Sequence, residues 1–337
     1  MTLRIAINGF GRIGRTVARA ALARTDVDIV AVNDLAEPEL LAHLFQYDSV
    51  HGRLPDAVGV EDGDLVVAGR RIRVLQQRDP AELPWGELRV DVVVESTGIF
   101  TDAADARRHL DAGARRVLIS APARNEDLTV VMGVNSDAVE ARHTVLSNAS
   151  CTTNCAALLA KVLDDEFGVL RGLMNTVHAY TSDQRLQDVP HKDYRRARAA
   201  AANIVPTSTG AARAIGKVLP RLEGKLDGLS MRVPVIDGSV VDLTVELDAV
   251  VTAAQVNAAF RMAAEGELAG FLEYTEAPIV STDIVGSPAS CTFDSGLTMV
   301  SDRPGGGSVV KVVGWYDNEV GFSHRTLDLA LLVGDVR

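Results

Sequence analysis

The chain has 337 residues, 47% of them apolar, which is enough for two cores of ordinary size and excludes a disordered chain. A formal net charge of −11 argues against a general nucleic-acid or membrane-surface binder. No apolar run is long enough to cross a bilayer, Met1 leads straight into a strand-like run with no signal-peptide core, and the three cysteines lack metal-ligand spacing, so a reducing cytoplasm is the expected setting.

In chain order, Leu3 to Ile7 reads as a buried strand, and a helical pattern follows through Val17, Ala18, Ala21 and Leu22. Ile29 to Val32 is a second strand and Pro38 to Phe45 a short helix. Leu65 to Val67 and Arg71 to Val74 read as a hairpin joined by Ala68-Gly69-Arg70. Further strands are expected at Val90 to Glu95, Arg116 to Ser120, Val130 to Gly133 and Thr144 to Leu146. Asp102 to Ala112 is expected to be one helix stopped at Gly113. This alternation over residues 1 to about 150 predicts a parallel α/β sheet.

Beyond Cys151 the texture changes. A helix from Thr153 to Phe167 stops at Gly168. Long alternating strands follow at Leu170 to His178, Gly228 to Val235, Val240 to Leu247, Ser290 to Phe293, Thr298 to Val300 and Val309 to Tyr316. Helices are expected at Thr209 to Leu219, Ala253 to Gly266 and Glu319 to Leu332, and Ser301 to Ser308 reads as a flexible hairpin loop. Mostly antiparallel strands with a few helices predict an α+β domain. The fold class is therefore α/β, an N-terminal Rossmann dinucleotide-binding domain followed by an α+β catalytic domain.

Two stretches carry chemistry. Gly9-Phe10-Gly11-Arg12-Ile13-Gly14 has the glycine spacing of a dinucleotide fingerprint, between a strand and a helix as that motif requires. Gly9 allows the tight turn, Gly11 lets backbone approach a pyrophosphate, and Gly14 packs helix on strand. Asp34, about twenty residues beyond Gly14, ends the second strand where an acid binds the ribose hydroxyls of NAD rather than the 2′-phosphate of NADP. The second stretch is Ser147 to Cys155. It places Cys151 at a helix start, where unpaired amides and the dipole are expected to lower a thiol pKa. His178 lies in a later strand, so the chain has a nucleophile and a base in outline. Cys155, one turn along the helix, reads as buried packing.

These segments resemble phosphorylating glyceraldehyde-3-phosphate dehydrogenase over essentially the whole length. The likeness extends through Val177 to Gln184, His191 to Ala201, Thr207 to Ala212, Met231 to Pro234 and Trp315 to Gly321, in the family's order. The resemblance implies a phosphate-bearing aldehyde as substrate, NAD as cofactor, and a Cys151 thiohemiacetal and thioester that inorganic phosphate cleaves. It assigns His178 as the base that holds Cys151 as thiolate. Thr181, Arg232 and Arg196 would bind the substrate phosphate, and Ser150, Thr152, Thr209 and Gly210 the attacking one. Asn318 would hold the nicotinamide carboxamide. Arg12, Ile13, Arg78, Thr97, Gly98 and Ser120 would complete the cofactor site; no metal is implied.

The family also implies residues 1–150 as the NAD-binding domain, completed by the helix 319–337, with 151–318 as the catalytic domain. A basic stretch, Arg185 to Arg198, might alone suggest RNA binding. In the family it is a loop beside a neighbouring subunit's cofactor, which implies a homotetramer, with no membrane or dedicated nucleic-acid partner. Val189-Pro190 resembles the apolar pair of NAD-specific members. Two departures from the family pattern are Val320 and the run Val235-Ile236-Asp237-Gly238. The alternatives are erythrose-4-phosphate dehydrogenase and a catalytically silent NAD- or RNA-binding interaction protein. Retention of Tyr180-Thr181, Thr209-Gly210-Ala211-Ala212, Cys151 and His178 argues against both.

Overall fold

The computed structural model describes residues 2–336. The chain divides into two compact units, one made of residues up to Val130, Ser136–Ser150 and the segment from Ser323, the other of Val131–Asn135 and Cys151–Phe322.

The first unit is built on a nine-stranded sheet. Its strands run in the order Leu128–Thr129, Val145–Ser147, Arg116–Ile119, Val92–Glu95, Leu3–Asn8, Val27–Asn33, Arg70–Leu75, Asp64–Val67 and Val58–Glu61. The first seven are parallel, and their near-continuous Val, Ile and Leu reflect burial on both faces. The last two add an antiparallel edge, as the Ala68-Gly69 turn dictates. Helices Arg12–Leu22, Pro38–Gln46, Ala103–Ala106 and Arg108–Asp111 belong to this unit.

Two expectations are corrected here. The stretch from Asp102 to Ala112 is not one helix: Asp102 caps a first short turn through the Ala104 amide, and a second begins at Arg108. The strand expected at Val130 to Gly133 lies earlier, at Leu128–Thr129, because the chain turns at Val131, whose amide and carbonyl are taken up by Asn135 and Val134.

The second unit holds an eight-stranded sheet ordered Val205–Ser208, Leu226–Val233, Val169–Ala179, Ser239–Leu247, Ser308–Tyr316, Cys291–Asp294 and Leu272–Thr275, with Met299–Asp302 also paired to Ser308–Tyr316. Five of its pairings are antiparallel and two parallel. Helix Cys151–Phe167 is buried without a break from Thr152 to Ala160, which makes it a core helix rather than a surface one. Gly168 ends it at φ +70°. The expected loop at Ser301 to Ser308 is partly strand: Met299–Asp302 closes a hairpin through consecutive left-handed glycines, Gly305 to Gly307. The helix expected from Thr209 begins at Ala211, because the Thr209 hydroxyl accepts the Ala211 amide and holds its own residue outside the helix.

Candidate active site

In the first unit, the residues expected at a dinucleotide cluster at the C-terminal ends of neighbouring parallel strands, where α/β sheets bind ligands. Gly9 has φ +92°, and a Cβ there would meet the Thr97 nitrogen at 2.6 Å. A Cβ on Gly14 would strike the Gly9 carbonyl oxygen at 2.2 Å, so only glycine lets helix Arg12–Leu22 sit this close to the turn. Gly11, in contrast, has nothing within 4 Å of a Cβ position and no side chain caps the helix it opens. That leaves room for a phosphate against helix-start amides, so the turn fits the pyrophosphate of NAD. Ile13 lies half-buried in the first helical turn.

Asp34 accepts the Phe10 amide at 2.9 Å and the Ala36 amide at 3.1 Å, which fixes its carboxylate beside the glycine turn. Arg12 pairs with Asp48 at 2.6 Å, so its guanidinium is anchored beside the helix start rather than reaching over it. The amides of Val50 and His51, with Arg12, hold the Asp48 carboxyl down to about 2 although burial pushes the other way. Thr97 and left-handed Gly98 follow strand Val92–Glu95, and Ser120 follows Arg116–Ile119. Ser120 Oγ lies 3.0 Å from Ser96 Oγ and 3.1 Å from the Glu95 carbonyl. Arg78 is exposed.

In the second unit, register assembles the chemistry. His178 and Arg232 are partners across the parallel strands Val169–Ala179 and Leu226–Val233, so their side chains stand together. Cys151, the first residue of its helix, places Sγ 3.5 Å from His178 Nε2. Burial pushes the Cys151 thiol up to about 11, against the pull of Arg232 and of the Thr152 amide and hydroxyl. Burial, aided by Arg232, pushes His178 down to about 3. Desolvation thus opposes the lowering of the thiol pKa expected from the helix start. With thiol and imidazole both neutral, the pair resists gaining a proton and losing one.

Around it lies an arc of arginine and hydroxyl side chains. The Arg232 guanidinium donates to His178 Nδ1 at 2.8 Å, to the Ala179 carbonyl at 3.0 Å and to Thr181 Oγ1 at 3.3 Å. The Thr181 hydroxyl and Arg196 both bond to Asp183, and Arg196 also reaches the Ser208 carbonyl at 3.4 Å, beside Thr209 and Gly210. Thr181, Arg196 and Arg232 are thus brought together. Thr152 is adjacent to Cys151 but its hydroxyl is engaged with Tyr316 at 2.8 Å; Ser150 immediately precedes the helix. Asn318 Oδ1 accepts the Ser239 hydroxyl at 2.6 Å, which sets the amide orientation.

Several residues in this arrangement escaped the sequence reading. Tyr316 packs edge-on to the His178 ring and bridges the hydroxyls of Thr152 and Thr176. Ser239 orients Asn318 and also accepts the Ala179 amide. Asp183 and Asp48 each hold an expected anion ligand. Tyr316 and Asp183 lie in stretches that carry the family resemblance, Trp315 to Gly321 and Val177 to Gln184, whereas Ser239 and Asp48 lie in none. Cys155 is fully buried, as expected, and its thiol donates to the Gly314 carbonyl at 3.6 Å.

A glycine turn with a fixed acid beside it in one unit, and a thiol–imidazole pair with an arginine-lined arc in the other, are the parts expected of a nicotinamide-dependent oxidoreductase. The sequence matches the glyceraldehyde 3-phosphate dehydrogenase NAD binding domain over residues 3–103 and the C-terminal domain of the same family over residues 150–318. It is 62% identical to glyceraldehyde-3-phosphate dehydrogenase 1 and 59% identical to glyceraldehyde-3-phosphate dehydrogenase 2 of Streptomyces avermitilis, and 60% identical to glyceraldehyde-3-phosphate dehydrogenase of Mycobacterium tuberculosis. Each match covers 99% of both chains. The chain belongs to the glyceraldehyde-3-phosphate dehydrogenase family. Neither erythrose-4-phosphate dehydrogenase nor a silent binding protein is favoured by these matches. No helix among the described residues is long and apolar enough to cross a membrane.

Proposed function

We propose that the protein oxidises glyceraldehyde 3-phosphate to 1,3-bisphosphoglycerate, with NAD and inorganic phosphate as co-substrates. The observation that carries this reading is Cys151 Sγ at 3.5 Å from His178 Nε2, with Arg232 bridging the same imidazole to Thr181. Cys151 attacks the aldehyde carbon while its proton passes to His178, and the helix-start amide of Cys151 with the imidazole N–H faces the developing oxyanion. The imidazolium returns that proton to the oxyanion to give the thiohemiacetal hydroxyl, and neutral His178 takes it back as the hydride leaves and the thioester forms. NAD, when bound, supplies the hydride acceptor.

Gly9, Gly11, Arg12, Ile13, Gly14, Asp34, Arg78, Thr97, Gly98 and Ser120 hold the dinucleotide in this reading, and Asn318 its carboxamide. Thr181, Arg196 and Arg232 hold the substrate phosphate through arginine forks that match its oxygens. Ser150, Thr152, Thr209 and Gly210 receive the inorganic phosphate that cleaves the thioester. Residues 1–150 with the final helix form the NAD-binding domain, and 151–318 the catalytic one.

A cytoplasmic homotetramer completes the proposal. It is supported by large apolar side chains left in solvent on the basic stretch, where Leu186 is 82% and Tyr194 88% exposed. The test is NAD reduction with glyceraldehyde 3-phosphate, with and without inorganic phosphate. One NADH per Cys151 followed by slow hydrolysis is expected without phosphate, and continuous turnover with it. Full steady-state turnover without phosphate would point to a hydrolytic aldehyde dehydrogenase instead.

A further inference from the structure

His178 Nδ1 has two polar neighbours of opposite kind. The Arg232 guanidinium lies at 2.8 Å and the Ala179 carbonyl oxygen at 2.7 Å. A guanidinium can only donate and a carbonyl can only accept, so Nδ1 satisfies one or the other. Bare, it accepts from Arg232; protonated, it donates to Ala179. The choice fixes the other ring nitrogen. With Arg232 on a bare Nδ1, the ring proton sits on Nε2 and points at Cys151 Sγ, 3.5 Å away. In that tautomer Nε2 is a donor and cannot take the thiol proton. To act as base, Nε2 must be bare and Nδ1 protonated, and an N–H donor at 2.8 Å opposes that arrangement.

The same Arg232 nitrogen reaches Thr181 Oγ1 at 3.3 Å, on the side where Arg196 also converges through Asp183. A dianionic phosphate arriving there competes with an imidazole nitrogen for the guanidinium and wins, because a charged acceptor forms the stronger bond.

We propose that Arg232 is a tautomer switch read by the substrate's phosphate. Drawn onto the phosphate, it releases Nδ1, whose proton is then held by the Ala179 carbonyl. Nε2 becomes the acceptor for the Cys151 proton as the sulfur lone pair bonds to the aldehyde carbon and the carbonyl electron pair moves to oxygen. An aldehyde without a phosphate meets His178 in the wrong tautomer. This rests on the reading of the protein as a phosphorylated-aldehyde dehydrogenase, and it makes Arg232 a positioning residue for the base as well as a phosphate ligand.

The test compares the NADH burst from glyceraldehyde 3-phosphate and from glyceraldehyde in the wild type and in Arg232→Ala. The variant is expected to lose burst rate with the phosphorylated aldehyde and to gain roughly tenfold with the unphosphorylated one, a modest part of what a positioned base contributes. A fall with both, or no change with glyceraldehyde, overturns the switch. A second measurement does not depend on the variant folding. Nitrogen NMR of His178 in the wild type, assigned with His178→Asn, is expected to show the proton on Nε2 alone and on Nδ1 after glycerol 3-phosphate is added. An unchanged tautomer overturns the proposal. A wild type that binds glycerol 3-phosphate and switches yet fails to oxidise glyceraldehyde 3-phosphate would instead overturn the proposed function.

Discussion

Deep in the first unit, the Trp85 indole nitrogen donates to Nδ1 of His109 at 2.9 Å, and both side chains are fully buried. Because an indole N–H can only donate, the proton on His109 sits on Nε2, which faces Glu95 Oε2 at 3.0 Å. Asn8 donates to the same carboxylate oxygen at 2.6 Å, and the Thr97 amide and hydroxyl donate to the other. Asn8 in turn accepts from Asn33 at 2.7 Å, and Asn33 bonds the backbone of Gln77 in both directions. One connected network therefore ties together the loops that carry Gly9, Asp34, Arg78 and Thr97, four of the stretches assigned to the dinucleotide.

The network predicts a double penalty. Glu95→Gln turns two donors of its new amide toward existing donors, and His109→Leu leaves Glu95 and Trp85 short of a partner. Each is expected to lower stability by about 2–4 kcal/mol, the usual cost of breaking a buried polar pair from one side. Both are also expected to weaken NAD binding, since the loops lose their common anchor. Urea unfolding and NAD titration on the same preparations check this. Loss of stability with unchanged NAD affinity would show the network to be structural only.

The Cys151–His178 pair predicts a pH response without a step near neutrality. Cys151 is pushed up to about 11 and His178 down to about 3, so neither group changes protonation at its ordinary value. Alkylation of Cys151 by a neutral thiol reagent is therefore expected to show no step at the ordinary histidine value of 6.5 or the ordinary thiol value of 9.0. The stability sign follows for each group. The lowered His178 pKa contributes stability that is present above 6.5 and lost as pH falls toward about 3. The raised Cys151 pKa contributes stability present below 9.0 and lost as pH climbs toward about 11. Cys151→Ser should abolish oxidation, and His178→Asn should slow it by about 10²–10⁴-fold. A sigmoid near neutral pH in the alkylation profile would mean that one member titrates independently of the other.

How much of this was legible beforehand follows from where each signal resides. The glycine turn was readable because its spacing is local: Gly9, Gly11 and Gly14 each answer one steric demand within a single strand–turn–helix. The seven parallel strands were mostly readable because burial on both faces leaves unbroken apolar runs. The Arg232–His178 contact was not readable from residue pattern, since it depends on the register of two strands separated by some fifty residues of chain; only the family resemblance placed the two together. The contacts of Tyr316 and Ser239 were unreadable for the same reason, since their partners Thr152, Thr176, Ala179 and Asn318 lie on other elements far along the chain. The opposing pull of burial on the Cys151 thiol has a different origin. Helix position can be seen in sequence, but the depth at which the sulfur lies cannot.

Two residues before Cys151, Ala149 has φ +56° and is almost fully buried, a left-handed conformation that costs a Cβ-bearing residue about 1–2 kcal/mol. Its amide is held by Ser147 Oγ at 3.0 Å, and Ser147 donates to the Ala121 carbonyl at 2.6 Å, so the surrounding bonds enforce the turn. Ala149→Gly is expected to raise the melting temperature by a few degrees while leaving the NADH burst rate near wild type. Ala149→Val, which is worse in this region, should lower both. If glycine destabilised instead, the turn would be supplying rigidity to Cys151 that outweighs its local strain.

In the proposed cofactor site, the choice between NAD and NADP turns on Asp34. Its two oxygens are already committed to the Phe10 and Ala36 amides, at 2.9 and 3.1 Å, so the carboxylate cannot swing aside to admit an added charge. A 2′-phosphate at the ribose would face that fixed negative group, while free ribose hydroxyls could donate to it. Leu35, half-exposed beside it, offers no hydroxyl to bind a phosphate. NAD is therefore expected to exceed NADP by on the order of 10²-fold in kcat/KM, which at 1.36 kcal/mol per decade is a few kcal/mol of discrimination. Asp34→Asn should narrow that gap by weakening NAD and relieving the repulsion of NADP, at some cost in the order of the Phe10 turn. Equal use of both cofactors by the wild type would remove Asp34 from the ribose site. A gap that survives Asp34→Asn unchanged would move the discrimination to other residues, with Val189-Pro190 of a neighbouring subunit the first to test by dilution of the oligomer.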